Sequence, residues 1–146
     1  MKKTFFIVSI LLFSFSFVNA QEWQTDFKTA EKLASEENRP IILVFQGSDW
    51  CAPCIKLDRE IWSSDEFKSY AKEHFVMLQA DFPRRKANAL SDEQQEKNNQ
   101  LAEKYNTQGY FPFVVVLDKD GHVLGEAGYE KTTPTAYIDK LESFVK

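Results

Sequence analysis

Cysteine is scarce in this sequence, with 2 cysteines among 146 residues. Two thiols exclude a secreted scaffold held by several disulfides, and they cannot supply the four thiolates of a structural zinc site. Basic residues are not in excess either, because 18 Lys and Arg stand against 22 Asp and Glu and the net charge is -4. Since there is also no long basic run, nucleic acid is not an expected partner. Internal repeats and low-complexity linkers are lacking too, which argues against a repeat array or tethered domains.

The remaining composition is that of a folded protein. Hydrophobic residues make up 43% of the sequence and charged residues 27%. This balance supports a packed core and excludes wholesale disorder. A length of 146 residues suits one domain, or one domain with a short appendage.

The first twenty residues have the three-part pattern of a secretory signal. Two lysines give a positive start, the apolar run 5–18 follows, and a cleavage site is predicted after Ala20. The run is shorter than the roughly 20 residues that span a membrane, although an uncleaved N-terminal anchor is the alternative. We therefore predict a cleavable signal peptide over residues 1–20 and a periplasmic or secreted single domain over residues 21–146.

Strands are predicted where short apolar runs are rich in β-branched and aromatic residues. The runs 41–45 and 113–117 are continuous and predict buried strands, and residues 75–80 predict another. Residues 118–121 are typical of a hairpin turn before a returning strand over 122–127.

Helices are predicted where a capping residue or a helix-starting turn precedes a segment of helical spacing. The first predicted helix begins at Thr25 or Asp26 and ends before Pro40. The other four cover residues 51–62, 65–73, 91–105 and 133–144. Helices therefore alternate with strands until a final hairpin and helix. This order predicts an α/β fold with a central mixed sheet and helices on both faces.

Cys51 and Cys54 lie three residues apart at a predicted junction between a strand and a helix. The N-terminus of a helix offers unpaired N–H groups and a partial positive charge, and both stabilise a thiolate. We therefore predict that Cys51 attacks a substrate disulfide and that Cys54, one turn later, resolves the mixed disulfide. Pro53 lacks an N–H group and favours helical φ, so it suits the first turn.

Two other uses of this cysteine pair are open. A purely structural disulfide would close a loop of four residues and stabilise the fold by only about 2 kcal/mol in the chain-entropy treatment. A metal site would need further ligands, but His74 and His122 lack the spacing of paired histidine ligands. Redox chemistry is therefore the preferred interpretation, with no bound metal and no other cofactor.

Two motifs beside predicted strands carry a family resemblance. Trp50-Cys51-Ala52-Pro53-Cys54 follows an apolar strand, and Phe111-Pro112 stands directly before another. Together they resemble the thioredoxin superfamily over about residues 22–146, which implies a thioredoxin-like fold. Residues 47–50 and 57–65 are most similar to periplasmic thioredoxin-like proteins, such as the C-terminal thiol domain of the bacterial transmembrane reductant conductor.

The resemblance implies a substrate groove beside the cysteines. A cis peptide bond between Phe111 and Pro112 would pack against the pair and expose the Phe111 backbone to a substrate strand. An ordinary core position for Trp50 and a trans proline at a strand start for Pro112 are the alternatives. The other residues expected to form the groove with these are Trp50, Ala52, Pro53 and Gly128.

The sequence departs from the thioredoxin pattern at a buried ion pair. The acid six residues before the first cysteine is replaced by Phe45, and the lysine that often partners it is matched here to Met77. Replacing both members is consistent, because a lone buried charge is costly. The usual base for Cys54 is then missing, which leaves Asp49, Asp58 or water in its place.

A second departure is the length of residues 82–108, which exceeds what a minimal thioredoxin needs. This insertion includes Arg84-Arg85-Lys86 and most of a polar helix. It is either a solvated loop with a surface helix or a docking surface for a specific partner.

The predicted function is that of an exported thiol–disulfide oxidoreductase. Ala52-Pro53 lacks the histidine found in strongly oxidising relatives, which favours a reductase. Its partners would be protein disulfides or dithiols and a membrane thiol protein as electron donor, and we expect a monomer. The alternative is a thioredoxin-fold binding or chaperone module for cysteine-containing clients, such as partners in cytochrome maturation.

Overall fold

A mixed β-sheet lies at the centre of the computed structural model, which describes residues 21–146. The predicted signal peptide at residues 1–20 lies outside the described residues. Within them the strands stand in the spatial order β1-β3-β2-β4-β5, with β1, β3 and β2 parallel and with β4 and β5 antiparallel to their neighbours. The strands are β1 (Trp23–Gln24), β2 (Ile41–Gln46), β3 (Val76–Asp81), β4 (Phe113–Leu117) and β5 (Val123–Ala127).

Helices cover both faces of this sheet. A π-helical turn (Asp58–Trp62) directly continues the second helix, and a short 3-10 turn (Lys86–Asn88) precedes the fourth. Among the helices of residues 21–146, none combines the length and the hydrophobicity of a membrane-spanning segment. The α-helices are α1 (Phe27–Glu37), α2 (Ala52–Leu57), α3 (Asp65–His74), α4 (Asp92–Tyr105) and α5 (Pro134–Val145).

Side-chain caps start four of these helices where the sequence predicts them. Each capping oxygen accepts the N–H group three residues later, which satisfies a donor that the first turn would otherwise leave unpaired. The caps are Asp26 for α1, Ser64 for α3, Ser91 for α4 and Thr133 for α5.

The strand side chains divide the core into two clusters, one on each face of the sheet. In β2, Ile42 and Val44 pack with buried residues of α2, α3 and α5, whereas Ile41, Leu43 and Phe45 pack with α1 and α4. Successive residues of a strand point to opposite faces, so a continuous apolar run is what a strand buried on both sides requires. The predicted α/β class with helices on both faces is confirmed.

Two local features differ from the prediction. Strand β1 was not predicted, because two residues are too short to show a strand period; it pairs with β3 through Trp23 opposite Met77. The helix predicted over 51–62 changes from α to π geometry at Asp58, where the N–H of Ser63 donates to the Asp58 carbonyl at 2.8 Å. Both Ile61 and Trp62, at the end of this wider turn, are buried.

The prediction that Met77 stands at the position of the lysine that would partner residue 45 is wrong. Met77 pairs with Ile42 and packs in the cluster formed with α2, α3 and α5, whereas Phe45 lies in the cluster on the other face. The residue opposite Phe45 is Ala80, three positions along β3 from Met77. Because an odd shift along a strand moves a side chain to the other face, Met77 cannot contact Phe45. The pair is nevertheless apolar, as expected.

Candidate functional site: the cysteine pair and its surroundings

Cys51 and Cys54 form a disulfide at the start of α2, with their Cα atoms 5.2 Å apart. Cys51 is the N-cap residue, and its own N–H donates to the Gly47 carbonyl at 2.9 Å. The N–H of Cys54 donates to Sγ of Cys51 at 3.3 Å, while Pro53 occupies the first turn. A donor aimed at Sγ of Cys51 favours negative charge on that sulfur.

Solvent exposure does not distinguish the two cysteine residues. Cys51 and Cys54 are each 4% exposed, while Ala52 and Pro53 between them are exposed. The different roles assigned to the cysteines therefore depend on the hydrogen bond to Cys51 and on the order of the residues in the helix.

Four of the predicted groove residues lie close to one another in two pairs, Trp50 with Phe111 and Pro112 with Gly128. The ring centroids of Trp50 and Phe111 lie 5.4 Å apart in an edge-to-face arrangement. The Phe111–Pro112 peptide bond is cis, and a Cβ atom added to Gly128 would lie 3.6 Å from the Pro112 carbonyl oxygen. Gly128 is held in place by Tyr137, whose hydroxyl donates to the Gly128 carbonyl at 2.9 Å. Burial raises the pKa of Tyr137 above its usual range, so this donor keeps its proton.

Trp50 connects the cysteine turn to the segment that follows β3. Its indole N–H donates to the Phe82 carbonyl at 2.7 Å, and the Arg84 guanidinium lies over the ring, 3.7 Å from its centroid. The ring centroids of Phe82 and Phe111 are 5.6 Å apart, so each of these two residues contacts both the other and Trp50. The sequence alone does not predict Phe82 as a site residue, and it predicts Arg84 only as part of a basic run.

Comparison with known proteins identifies the fold that carries this site. A family model described as thioredoxin-like matches residues 22–119. The chain belongs to the thioredoxin-like family. Over 125 residues it is 37% identical to "Disulfide bond reductase DsbH" of Chlamydia pneumoniae, a match that covers 86% of this chain and 73% of DsbH.

Solved structures support the same fold. A structure described as "DsbH Oxidoreductase" matches this thioredoxin-like protein with a TM-score of 0.79 and 35% identity, covering 86% of this chain and 85% of that one. The oxidised C-terminal domain of Neisseria meningitidis DsbD matches with a TM-score of 0.54 and 22% identity, covering 80% of this chain and 90% of that one. The predicted thioredoxin-like fold is confirmed. With its CxxC pair and its similarity to DsbH, the protein is a thiol–disulfide oxidoreductase.

Of the two acids considered as a base for Cys54, Asp49 has another role in this thioredoxin-like protein. Its carboxylate accepts the N–H groups of Arg84 and Arg85 and the side-chain amide of Asn88, each at 2.9 Å. The bond from the Arg84 N–H and the bond from Asn88 hold the pKa of Asp49 below its usual range. A carboxylate with three donors and a lowered pKa is a poor proton acceptor. Asp49 instead anchors the start of the insertion.

Asp58 is better placed to serve Cys54. It lies at the first position of the π-helical turn, is exposed, and lines a cavity of about 220 Å³. The residues that share this cavity are Gln46, Ser48, Cys54, Ile55 and Asp58. A cavity of this size holds water, which can carry a proton between a thiol and a carboxylate.

A group of potential metal ligands within residues 21–146 lies away from the cysteine turn, in the hairpin between β4 and β5. Ligand atoms of Asp118, Asp120 and His122 lie within 4.8 Å of one another. Asp118 accepts the backbone N–H groups of Asp120 and His122, each at 2.9 Å. These bonds close the hairpin turn and account for the cluster without an ion.

Proposed function

We propose that this protein is an exported disulfide reductase in which Cys51 is the nucleophile and Cys54 the resolving thiol. The observation that carries the proposal is the Cys51–Cys54 pair at the start of α2, with the Cys54 N–H directed at Sγ of Cys51. The 37% identity to a protein named as a disulfide bond reductase supports the direction of electron flow. The Ala52-Pro53 dipeptide, which offers no histidine beside the thiolate, supports it as well.

The proposed reaction has two exchange steps. The Cys51 thiolate attacks a substrate disulfide, forms a mixed disulfide and releases the first substrate sulfur as a thiolate. The Cys54 thiolate then attacks Sγ of Cys51, which releases the second substrate sulfur and forms the Cys51–Cys54 disulfide. Two electrons pass to the substrate, and an external dithiol must reduce the pair before the next cycle.

The substrate is proposed to lie against the rim of the cysteine turn. The backbone of Phe111 can pair with an extended substrate segment, as in other proteins that bind peptides along an exposed strand. Ile55, which lines a cavity with Cys54, and Tyr110, which directly precedes Phe111, are exposed apolar side chains, at 39% and 58%. The groove residues proposed from the sequence are Trp50, Ala52, Pro53, Phe111, Pro112 and Gly128.

Export is proposed from the signal pattern in residues 1–20, which would place the dithiol outside the cytoplasm. Such a compartment is oxidising, so the pair needs a donor that brings reducing equivalents. A membrane thiol protein is the proposed donor. The mature protein is proposed to consist of residues 21–146, as a monomer.

Equilibration with glutathione tests the direction of electron flow. We expect a reduction potential more negative than about -200 mV. Such a value is closer to the potential of thioredoxin, about -270 mV, than to that of the strongly oxidising DsbA, about -120 mV. The measurement is the fraction of oxidised Cys51–Cys54 pair across a series of glutathione ratios. A value near that of DsbA would contradict the reductase assignment and indicate an oxidant.

We further infer that Asp58 accepts the Cys54 proton during the second exchange step. Replacement of Asp58 by Asn should slow that step about a hundredfold, the lower end of what a positioned base contributes. With an aromatic disulfide such as DTNB, Cys51 attack releases the first coloured thiolate and Cys54 attack releases the second. Stopped-flow absorbance separates these phases, and the second phase should slow while the first stays unchanged.

The matched control for Asp58→Asn is Asp139→Asn, which removes one exposed acid from α5. It should leave both phases unchanged. Equal slowing of both phases by Asp58→Asn would show that the acid acts on the Cys51 thiolate. An unchanged second phase would show that Cys54 loses its proton directly to water.

A further inference from the structure

The basic loop, defined as residues 83–88, concentrates positive charge in an acidic protein. Arg84, Arg85 and Lys86 are consecutive and exposed, whereas the chain as a whole has a net charge of -4. The ion pairs found in residues 21–146 involve none of these three side chains. Within the described part of the chain, no salt bridge therefore neutralises Arg85 or Lys86, whereas the Arg84 guanidinium is stacked on Trp50.

The structure holds this loop against the cysteine turn. Asp49 accepts the N–H groups of Arg84 and Arg85, so the backbone of the loop is tied to the residue two positions before Cys51. The guanidinium of Arg84 is stacked on Trp50, the residue directly before Cys51. A stacked guanidinium and a bonded backbone lose less freedom on binding than a mobile loop would.

Two acids near the loop offset part of its charge. Asp49 and Asp81 are both half-buried, and both accept backbone N–H groups of neighbouring residues. Arg85 and Lys86 are exposed, so the solvent-facing side of the loop is positive. The carboxylates of Asp49 and Asp81 are thus bonded to backbone N–H groups, whereas the charged ends of Arg85 and Lys86 are in no ion pair among the described residues.

We propose that the basic loop is a docking surface for polypeptides that carry acidic side chains next to their disulfide. This inference rests on the proposed function, because the docked disulfide is the one that Cys51 attacks. The overall negative charge of the protein repels an acidic substrate, whereas a cationic loop next to Cys51 attracts its acidic flank locally. Charges within a Debye length of about 8–10 Å act on an approaching partner, and such steering raises association rates.

The test compares two synthetic peptides that each contain one intramolecular disulfide. They are identical except for three Glu or three Lys residues beside the cysteines. The loop variant is the double substitution Arg85→Gln and Lys86→Gln, which keeps the Arg84 stack and both backbone bonds to Asp49. The reaction of the reduced protein with each peptide is followed at low and at high salt.

We expect the loop variant to reduce the acidic peptide about fivefold more slowly at low salt and the basic peptide faster. Both effects should shrink at about 0.5 M salt, where the Debye length is a few ångströms. The control is Lys72→Gln with Lys119→Gln, which removes two exposed cations from α3 and the hairpin turn. Since its net charge matches that of the loop variant, it should change either rate less than twofold.

Equal effects of the loop and control variants would overturn the proposal, because the rate would then follow net charge alone. Identical rates of wild type and loop variant with both peptides would overturn it as well. An uncharged disulfide, bis(2-hydroxyethyl) disulfide, separates this failure from failure of the proposed function. Wild type and both variants should reduce it at the same rate, and failure of wild type to reduce any of the three compounds would contradict the reductase itself.

Discussion

Replacing Cys54 with serine should leave substrate proteins covalently attached to Cys51 in bacteria that express the full chain. The first exchange step needs Cys51 alone, whereas release of the substrate needs the Cys54 thiolate. Turnover should fall to background while mixed disulfides accumulate as bands that disappear on reduction. Mass spectrometry of these bands identifies the substrates, and a trapped chain that begins at Gln21 would support export with cleavage after Ala20.

The matched control for Cys54→Ser is Cys51→Ser, which keeps the fold but removes the attacking sulfur. It should form no mixed disulfides and reduce no substrate. Absence of adducts with Cys54→Ser would remove the main support for attack by Cys51. Full disulfide-reducing activity in Cys51→Ser would contradict the enzymatic role of this cysteine. A Cys51→Ser variant that still binds clients without reducing them would instead favour the binding or chaperone alternative.

The strands and helix starts could be predicted because local chemistry determines them. Residues 41–45 and 113–117 form β2 and β4, since a strand buried on both faces needs apolar residues at every position. Ser64 and Ser91 cap α3 and α4 because a hydroxyl there can accept an N–H group of the first turn. The position of the CxxC pair at a helix start could be predicted from the same local signals.

The register of the sheet could not be predicted with the same accuracy. Met77 and Ala80 both lie in β3 and both are buried, so the apolar pattern alone does not show which of them is opposite Phe45. No residue type or spacing in the sequence is characteristic of the π-helical turn at Asp58. This turn could not be distinguished from a continuing α-helix by the spacing of apolar residues.

The surroundings of the cysteine turn were hardest to predict, since they depend on contacts between residues more than thirty positions apart. Asp49 could be an acid for proton transfer or an anchor for a loop, and its sequence neighbours do not decide between these roles. The folded chain brings the N–H groups of Arg84 and Arg85 to its carboxylate. The insertion thus contacts the site through its backbone, which residue types alone do not reveal.

Gly47→Ala should destabilise the fold and displace the Trp50 ring. A Cβ atom at position 47 would overlap Cε2 of Trp50, so one of the two must shift, and we expect the indole side chain to move. Its N–H would then lose the Phe82 carbonyl and its face would lose Arg84. Overpacking of this kind costs about 1–3 kcal/mol of unfolding free energy. Urea denaturation measures that loss, and the shift of the Trp50 indole N–H signal by NMR reports the displaced ring.

The matched control for Gly47→Ala is Gly128→Ala, which adds the same methyl group at the other side of the proposed groove. Its Cβ atom would meet the Pro112 carbonyl oxygen at 3.6 Å, an ordinary contact, so the unfolding free energy should change by less than about 1 kcal/mol. Equal losses in both variants would show that added volume anywhere in the groove is destabilising. An unchanged indole signal in Gly47→Ala would show that the backbone yields instead of Trp50. Displacement of Trp50 with loss of stability in Gly47→Ala alone would establish that glycine at position 47 provides the space for the ring that joins the cysteine turn to the basic loop.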